Sequence, residues 1–381
     1  MIYFDQAATT LPKPDQVKTA MMKALDQTGN AGRGAHDPAL YADRVLYRTR
    51  DKLCRLFHAD SPSVIAFTTN VTQALNTVIE GLIGRGDHVI SSICEHNSVL
   101  RPLYRKERQG SRLTLLDADA KGHISLQAYR DAIRPDTRAI VVHHASNVTG
   151  MVQNLQAIAQ IAHQAGALLI VDAAQTAGAL EIDMREMDID ILCFTGHKAL
   201  MGPQGTGGIC VREGISIPSY MIGGSGFHSF DREHPAVMPM ALEAGTQNIH
   251  GIAGLEAGID WIESVGIDRI RQRETELYQH ALQGMRSIPG LHIYGDPDSN
   301  PHMPILTWNL GDQDAAMICD ILWEDYGICA RAGAHCAPLL HKHFGTERQG
   351  AVRFSFSYWN TKEEIDRAIR AIEEIMRELP V

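Results

Sequence analysis

Short apolar runs alternate with helical patterns through the first half of the chain, and this alternation restricts the possible folds more than any other feature. The apolar runs span residues 64–67, 88–90, 113–116, 139–142, 168–171 and 189–194. Helical patterns lie between them, at 72–82, from 97 onward and at 155–165. Strands that are separated by helices pair in parallel, and the helices pack on both faces of the sheet. The sequence therefore predicts an α/β fold with a mostly parallel sheet sandwiched by helices.

Polar residues follow several of these predicted strands. Asp172 ends the run at 168–171, and Thr195-Gly196-His197-Lys198 follows the run at 189–194. Thr69-Asn70-Val71-Thr72 and Asn147-Val148-Thr149-Gly150 come after two others. Ligands bind open parallel sheets beyond the carboxyl ends of the strands. We therefore expect these four segments to face one crevice.

Lys198 and Asp172 suit the chemistry of pyridoxal 5'-phosphate (PLP), which needs a lysine amine and an acid against its ring nitrogen. Lys198 by itself is typical of a solvated loop cation, but together with Asp172 at a neighbouring strand end it favours the cofactor. Thr72 opens a predicted helix, where it either helps to hold a phosphate or simply caps the helix. His96 follows the strand at 88–90. It is either an ordinary histidine of the core or surface, or a residue that stacks on an aromatic ring of the cofactor.

The rest of the chain indicates a second, smaller domain. A glycine-rich loop at 29–36 is either a connector or a cover over a site entrance. Thr361 and Glu364 form the capping-box pattern that opens a last helix. The other predicted elements are helices at 15–27, about 38–57, 252–285 (broken near Gly266) and 314–326, and strands at 291–294 and 305–308. We therefore predict a large domain of residues 15–250 and a small α+β domain of residues 1–14 with 251–381.

One loop, Arg331-Ala332-Gly333-Ala334-His335-Cys336-Ala337-Pro338, carries the one cysteine that lies outside an apolar run. The histidine before Cys336 and the arginine five residues earlier favour a thiolate. That histidine, with His341 and His343, also suggests zinc, although the spacing matches no standard finger and no second cysteine pair exists. An inert loop cysteine is the third possibility. A nucleophilic thiol fits the sequence best.

Charge and cysteine content exclude several classes of protein. A formal net charge of −10 leaves no basic footprint for nucleic acid or anionic membranes. No apolar run reaches the roughly 18 residues that cross a bilayer, and the first residues lack a signal-peptide pattern. The 7 cysteines include no CxxC pair, and most lie in apolar runs. These features predict a protein of the reducing cytoplasm with no nucleic-acid or membrane partner.

Taken together, these motifs resemble the class V aminotransferase-like cysteine desulfurases, the group that contains the SufS-type desulfurases and the selenocysteine lyases. The resemblance extends from Tyr3-Phe4-Asp5-Gln6-Ala7-Ala8-Thr9-Thr10 to Tyr358-Trp359-Asn360-Thr361-Lys362-Glu363-Glu364. Its most specific motifs are Val171-Asp172-Ala173-Ala174-Gln175, Thr195-Gly196-His197-Lys198 and Arg331-Ala332-Gly333-Ala334-His335-Cys336. The resemblance implies a type I PLP-dependent transferase fold and a homodimer with sites at the subunit boundary.

The resemblance also implies a role for each matched residue. Lys198 would bond covalently to the cofactor, and Asp172 would pair with its ring nitrogen. Gln175 would contact the ring hydroxyl, His96 would stack on the ring, and Cys336 would accept the sulfur. The residues that would bind the phosphate are Val71, Thr72, Thr195, His197 and, from the other subunit, Thr246. The residues that would hold the substrate are Asn147, Arg353 and Arg331.

The activity that the resemblance implies is the PLP-dependent conversion of L-cysteine to L-alanine, with a persulfide on Cys336 that is passed to an acceptor protein. The alternatives are a selenocysteine lyase, a class V aminotransferase or epimerase that does not use Cys336, and a non-catalytic scaffold or sulfur-carrier partner. Asn70-Val71-Thr72 stands where the family usually has Gly-Thr-Thr, and the segment after Cys336 differs from the standard SufS sequence. The choice between sulfur and selenium, and the acceptor, therefore stay open.

Overall fold

The computed structural model of the chain describes residues 1–32, 34–226 and 229–378, so Arg33 of the predicted glycine-rich loop lies outside the described residues. The strands are β1 (Ile2–Tyr3), β2 (Ile65–Thr68), β3 (His88–Ser92), β4 (Arg112–Leu116), β5 (Thr137–His143), β6 (Leu168–Asp172), β7 (Ile191–Thr195), β8 (Gly207–Val211), β9 (Leu291–Ile293), β10 (Ile305–Leu310), β11 (Ile328–Cys329), β12 (Arg331–Gly333) and β13 (Ala351–Ser355). The helices are α1 (Asp15–Gln27), α2 (Asp37–Leu56), α3 (Val71–Leu82), α4 (Asn97–Arg108), α5 (Leu126–Ala132), α6 (Leu155–Gln164), α7 (Ile249–Val265), α8 (Ile267–Arg286), α9 (Ala315–Glu324), α10 (Pro338–His343) and α11 (Lys362–Glu378).

A sheet of 7 strands forms the centre of the larger domain, in the order β2-β8-β7-β6-β5-β3-β4. β8 runs antiparallel to both of its neighbours, and the other pairs are parallel. The mostly parallel sheet predicted from the sequence is thus confirmed. β8 itself was not predicted, because its glycines are typical of a loop. They are needed here for close approach, since a Cβ on Gly208 would lie 2.7 Å from the carbonyl oxygen of Ala66.

Both faces of this sheet are buried, as a parallel sheet between helices requires. Successive residues of a strand point to opposite faces. In β5, for example, Ile140 and Val142 belong to the core that includes residues of α2, α6 and α7. Ala139 and Val141 belong to the core that includes residues of α3 and α4. The apolar runs of the sequence are therefore continuous because both sides of each strand are covered.

The C-terminal part forms an antiparallel sheet in the order β12-β13-β10-β9. Helices α8, α9 and α11 share its hydrophobic core. The N-terminal segment completes this domain, since β1 pairs with β11. The ring centroid of Phe4 also lies 5.2 Å from that of Phe354 and 5.0 Å from that of Phe356. The capping box is also present, because the Glu364 carboxylate accepts the N–H of Thr361 and the Thr361 hydroxyl accepts the N–H of Glu364.

The packing of α7 bears on where the two domains divide. Ile249, Ile252 and Ile259 of this helix belong to the core of the seven-stranded sheet. Gly266, with a φ of 90°, separates α7 from α8. The sequence-based division at residue 250 stays a prediction. We propose that the boundary lies at Gly266, because α7 packs in the core of the large domain and most buried residues of α8 pack in the core of the small one.

Two further observations complete the fold. Helix α5 was not predicted, since its 7 residues are too short to show a clear helical period. Within the ranges given above, the structure contains no helix that is both long enough and apolar enough to cross a membrane.

Candidate active site

One cavity of about 310 Å³ lies at the carboxyl ends of β2, β5, β6 and β7, where the small domain meets the large sheet. The four strand ends that were expected to face one crevice all contribute to its lining. The predicted site residues that line it are Val71, Thr72, His96, Asn147, Asp172, Gln175, Thr195, His197, Lys198, Arg331 and Arg353. Cys336 and Thr246 are not among them. The roles assigned to all these residues from the resemblance remain proposals.

Asp172 is the last residue of β6, and Lys198 follows the neighbouring strand β7. Burial lowers the pKa of the Lys198 amine to about 8, against the attraction of Asp172. Burial also raises the pKa of the Asp172 carboxyl to about 6, although the N–H of Ala174 donates to its Oδ1 at 2.9 Å. A lysine that loses its proton readily and an acid in the same cavity give the site both a base and a partner for a positive charge.

His96 lies at the N-terminus of α4 with its ring partly enclosed. Its Nδ1 accepts the N–H of Ser98 at 3.0 Å, and the Ser98 hydroxyl lies 2.7 Å from the hydroxyl of Thr72. Burial, reinforced by the charge of Lys198, lowers the pKa of His96 to about 4. The imidazole is therefore neutral at physiological pH, which suits stacking on an aromatic ring rather than ion pairing.

Arg353 is a buried arginine that points into the cavity from β13. Its Nη2 donates to the Asp5 carboxylate at 2.9 Å, and its Nη1 donates to the carbonyl of Asn147 at 2.9 Å. Its Nε is buried with no hydrogen-bond partner among the described residues. Arg331 lies opposite Arg353 in the β12–β13 register. Two guanidinium groups at one cavity wall favour an anionic substrate.

Sequence reasoning missed His143, which lines the cavity, and Glu95, which contacts it. Glu95 is fully buried, and the Nδ1 of His143 lies 2.9 Å from its carboxylate. The only available signal was a charged or imidazole side chain at the end of an apolar run, which is too common to be specific. Asp5 was also missed as a partner of Arg353, since 348 positions separate them in the chain.

The residues of the cavity fit PLP on several independent points. The Nδ1 of His197 is buried and lacks a partner among the described residues, so it is free to bind a ligand. Val71 and Thr72 open α3, where the first N–H groups have no acceptor within the helix and favour a phosphate. Lys198 and Asp172 supply the amine and the acid that the cofactor needs.

Cys336 lies on the loop between β12 and α10, with its side chain exposed. Its neighbour His335 lines the cavity, which places the cysteine at the rim. A thiolate at Cys336 is close enough to attract the Arg353 guanidinium. In the described part of the chain, no three His, Cys, Asp or Glu side chains are grouped to hold a metal ion. Thr246 is exposed and away from this cavity, so its predicted contact depends on a second subunit.

Known proteins resemble the chain over its whole length. The model of the family described as aminotransferase class-V matches residues 2–368. A probable cysteine desulfurase of Methanothermobacter thermautotrophicus is 36% identical over 381 residues, which cover 98% of this chain and 94% of the relative.

Solved structures agree with this. A cysteine desulfurase from Thermococcus onnurineus NA1, solved in its apo form, has a TM-score of 0.93 and 32% identity, covering 99% of this chain and 95% of the other. A cysteine desulfurase from Escherichia coli has a TM-score of 0.90 and 29% identity, with the same coverage of 99% and 95%. The chain therefore belongs to the class V aminotransferase family, in its cysteine desulfurase group, and has the type I fold of PLP-dependent enzymes.

Proposed function

We propose that the chain is a PLP-dependent cysteine desulfurase that converts L-cysteine to L-alanine and holds the sulfur as a persulfide on Cys336. The observation that carries this proposal is the meeting of Lys198, Asp172 and Arg353 in one cavity with the Cys336 loop at its rim. A lysine, an acid and an arginine serve many reactions of the family. The cysteine at the rim is what favours sulfur transfer.

PLP, when bound, supplies an electron sink that makes the α-proton of an amino acid labile. Asp172 would keep the ring nitrogen protonated through a charge-assisted hydrogen bond. The Lys198 amine, with a pKa lowered to about 8, is a suitable base for the α-proton. His96 would cover one face of the ring and exclude water. The groups that would hold the phosphate are the N–H groups at the start of α3 together with Thr72, Thr195 and His197.

The substrate carboxylate would pair with Arg353, whose position is fixed by Asp5 and by the carbonyl of Asn147. The amide of Asn147 donates one of its two hydrogens to the carbonyl of His335 at 2.7 Å. The second hydrogen is available to the substrate. Arg331, beside Arg353, adds a second positive charge that draws the anionic amino acid into the cavity.

Sulfur transfer requires one bond to form and one to break. The Cys336 thiolate would attack the sulfur of the substrate, so that an S–S bond forms and the bond from the β-carbon to sulfur breaks. The electron pair of that bond stays with the substrate, whose β-carbon then takes a proton to give alanine. The balance is one thiol and one cysteine converted to one persulfide and one alanine.

We also propose a homodimer, a sulfur-acceptor protein as the partner, and the cytoplasm as the location. Exposed apolar side chains support a dimer, because Met221, Ile222 and Val237 lie in the segment that leads to Thr246. In such a dimer Thr246 would reach the phosphate of the other subunit. The 7 cysteines are all free thiols, which supports a reducing compartment.

The test is to offer PLP-loaded enzyme cysteine, selenocysteine and cystine and to quantify sulfide, selenide and alanine. We expect alanine from cysteine without a keto acid, and a mass gain of one sulfur at Cys336. Cys336→Ala should still show the spectral change on binding cysteine but should release no sulfur. Full desulfurase activity of Cys336→Ala would contradict the proposal and favour a lyase. Consumption of cysteine only with a keto acid, with the matching amino acid formed and the sulfur retained, would indicate an aminotransferase, and a protein that binds no PLP would be a scaffold.

A further inference from the structure

The loop that carries Cys336 has an uncommon backbone. His335 and Cys336 have φ values of 47° and 57°, in the left-handed region that non-glycine residues rarely adopt. Among the residues that the structure describes, no other two adjacent non-glycine residues both have positive φ. Backbone of this kind persists only where surrounding contacts hold it. Specific contacts must therefore maintain the direction in which Cys336 presents its thiol.

Main-chain contacts hold the loop against the large domain. The carbonyl of His335 accepts from the Asn147 amide at 2.7 Å, and the carbonyl of Cys336 accepts the N–H of Asn97 at 2.7 Å. Both donors belong to the active-site region, since Asn147 lines the cavity and Asn97 follows His96. These contacts fix where the loop lies, but they leave the His335 side chain to be held from the other side.

A hydrogen-bond chain of three buried side chains holds the His335 ring in place. His335, His341 and Thr346 are only 3%, 1% and 2% exposed. The Nδ1 of His335 lies 3.2 Å from the Nε2 of His341, and the Nδ1 of His341 lies 2.8 Å from the Thr346 hydroxyl. At the other end, the Nε2 of His335 lies 3.2 Å from the carbonyl oxygen of Arg331.

The Arg331 end of this chain determines where its protons lie. A carbonyl oxygen only accepts, so the Nε2 of His335 carries a proton and donates to Arg331. Burial lowers the pKa of both rings, that of His341 to about 4, so both are neutral with one ring proton each. The Nδ1 of His335 then accepts from the Nε2 of His341. The Nδ1 of His341 accepts from the Thr346 hydroxyl at 2.8 Å, which lies farther, at 3.3 Å, from its other acceptor, the His341 carbonyl oxygen. Every ring nitrogen in the chain is thereby satisfied.

We propose that His341 and Thr346 are positioning residues for Cys336. Through His335, their hydrogen-bond chain fixes the left-handed turn and the path of the thiol toward the cavity. This inference rests on the proposed role of Cys336 as sulfur acceptor. It assigns a structural task to two of the histidines that the sequence had associated with zinc. Loosening the chain should slow sulfur transfer without weakening the binding of cysteine.

The decisive variant is His341→Phe, which keeps a planar ring and removes both ring nitrogens. In single turnovers with PLP-loaded enzyme, we expect the gain of one sulfur at Cys336 to slow by roughly tenfold or more, since small misplacements of reacting groups have effects of this size. Cysteine binding, measured by spectral titration in the Cys336→Ala background, should change less than about twofold. His341→Gln keeps a donor near the Nε2 position and should recover much of the rate.

His343→Phe is the matched control, because His343 lies on the same helix and is exposed, with its Nε2 2.8 Å from the carbonyl oxygen of Asp119 and its ring beside that of Phe344. It should behave as wild type. Thr346→Val removes the hydroxyl at similar volume and tests the same chain should His341→Phe fail to fold. Hydrogen exchange of the segment 333–341 in the cofactor-free protein gives a second readout. It should quicken in His341→Phe and Thr346→Val but not in His343→Phe.

Wild-type rates of sulfur gain in His341→Phe or Thr346→Val, with unchanged exchange, would overturn the inference. A loss of cysteine binding in the Cys336→Ala background would overturn it as well, because the effect would then pass through the cavity and not through the thiol. Failure of the proposed function looks different, since the wild type itself would gain no sulfur at Cys336.

Discussion

The Nδ1 of His143, which lines the active-site cavity, lies 2.9 Å from the Oε1 of the buried Glu95. The same carboxylate accepts the hydroxyl of Ser92 at 2.8 Å and the N–H of His143 at 2.9 Å. In the β5–β6 register His143 lies opposite Asp172. Burial is the main cause of the raised pKa of the Asp172 carboxyl, and among the smaller influences the fully buried Glu95 raises this pKa and His143 lowers it. The pair therefore contributes to the packing and the charge around Asp172.

Replacing this acid by its amide should destabilise the protein. Glu95→Gln keeps the shape but leaves one acceptor oxygen for three donors, so at least one buried donor faces the new amide N–H₂. We expect a loss of roughly 1–3 kcal/mol in the free energy of unfolding, measured by chemical denaturation of the cofactor-free protein. Glu107→Gln, on the exposed side of α4, should change it by less than about 0.5 kcal/mol. Equal effects of the two changes would mean that the carboxylate contacts are not maintained in solution.

Lys198→Ala should abolish turnover and leave the fold intact. The lysine supplies chemistry at a loop end rather than core packing, so we expect a loss of at least about a thousandfold with an unchanged circular dichroism spectrum. Borohydride should fix the cofactor to the wild type and not to the variant. Labelling of another lysine in the wild type would remove Lys198 from its assigned role.

The same lysine gives a prediction for stability. Because its pKa in the folded protein is lowered to about 8 from 10.5, the charged amine destabilises the cofactor-free fold below pH 8, and this penalty fades as the pH rises toward 10.5. Lys198→Met should therefore raise Tm at pH 7 and have little effect near pH 10.5. A gain in Tm that is the same at both pH values would point to packing rather than charge.

Arg353→Lys should raise KM for cysteine by roughly tenfold or more, since a lysine cannot reproduce the forked contact with a carboxylate. The cofactor spectrum should not change. Asp5→Asn should raise KM in the same direction, because Asp5 holds the Nη2 of Arg353. Arg348→Lys, an exposed arginine of the same domain, is the control. An unchanged KM in Arg353→Lys would make this arginine only an ion-pair partner of Asp5.

Glu274 should make the stability of the protein depend on pH. Burial raises its pKa in the folded state from 4.5 to about 8. The carboxyl is then protonated in the folded chain and ionised in the unfolded chain between these values, so the stability it contributes falls as the pH rises from 4.5 to 8. Glu274→Gln should raise Tm at pH 8 and change it little at pH 4.5. Glu276→Gln, exposed on the same helix, should show no such difference between the two pH values.

Local signals determined most of the secondary structure. The apolar runs in the sheet are continuous because both faces of each strand are buried, and this pattern is visible in the sequence without any knowledge of partners. Lys198 and Asp172 were identifiable because the ends of parallel strands lie at one edge of a sheet. β8, β13, α5 and α10 are among the elements that were not predicted, because a glycine-rich strand, a strand interrupted by Arg353 and helices of 6 or 7 residues have weak local patterns.

Only the tertiary structure decided the pairs that arrange the site. Arg353 with Asp5, Glu95 with His143, and His335 with Asn147 join segments that are far apart in the chain. No local pattern encodes such contacts, since Arg353 meets Asp5 through the packing of the small domain, Glu95 meets His143 through the packing of the large one, and His335 meets Asn147 across the two. The direction of the Cys336 thiol is likewise set by the left-handed turn and by the contacts around it. The sequence by itself determined which chemical groups the site contains, and the packing within and between the two domains determined how they meet.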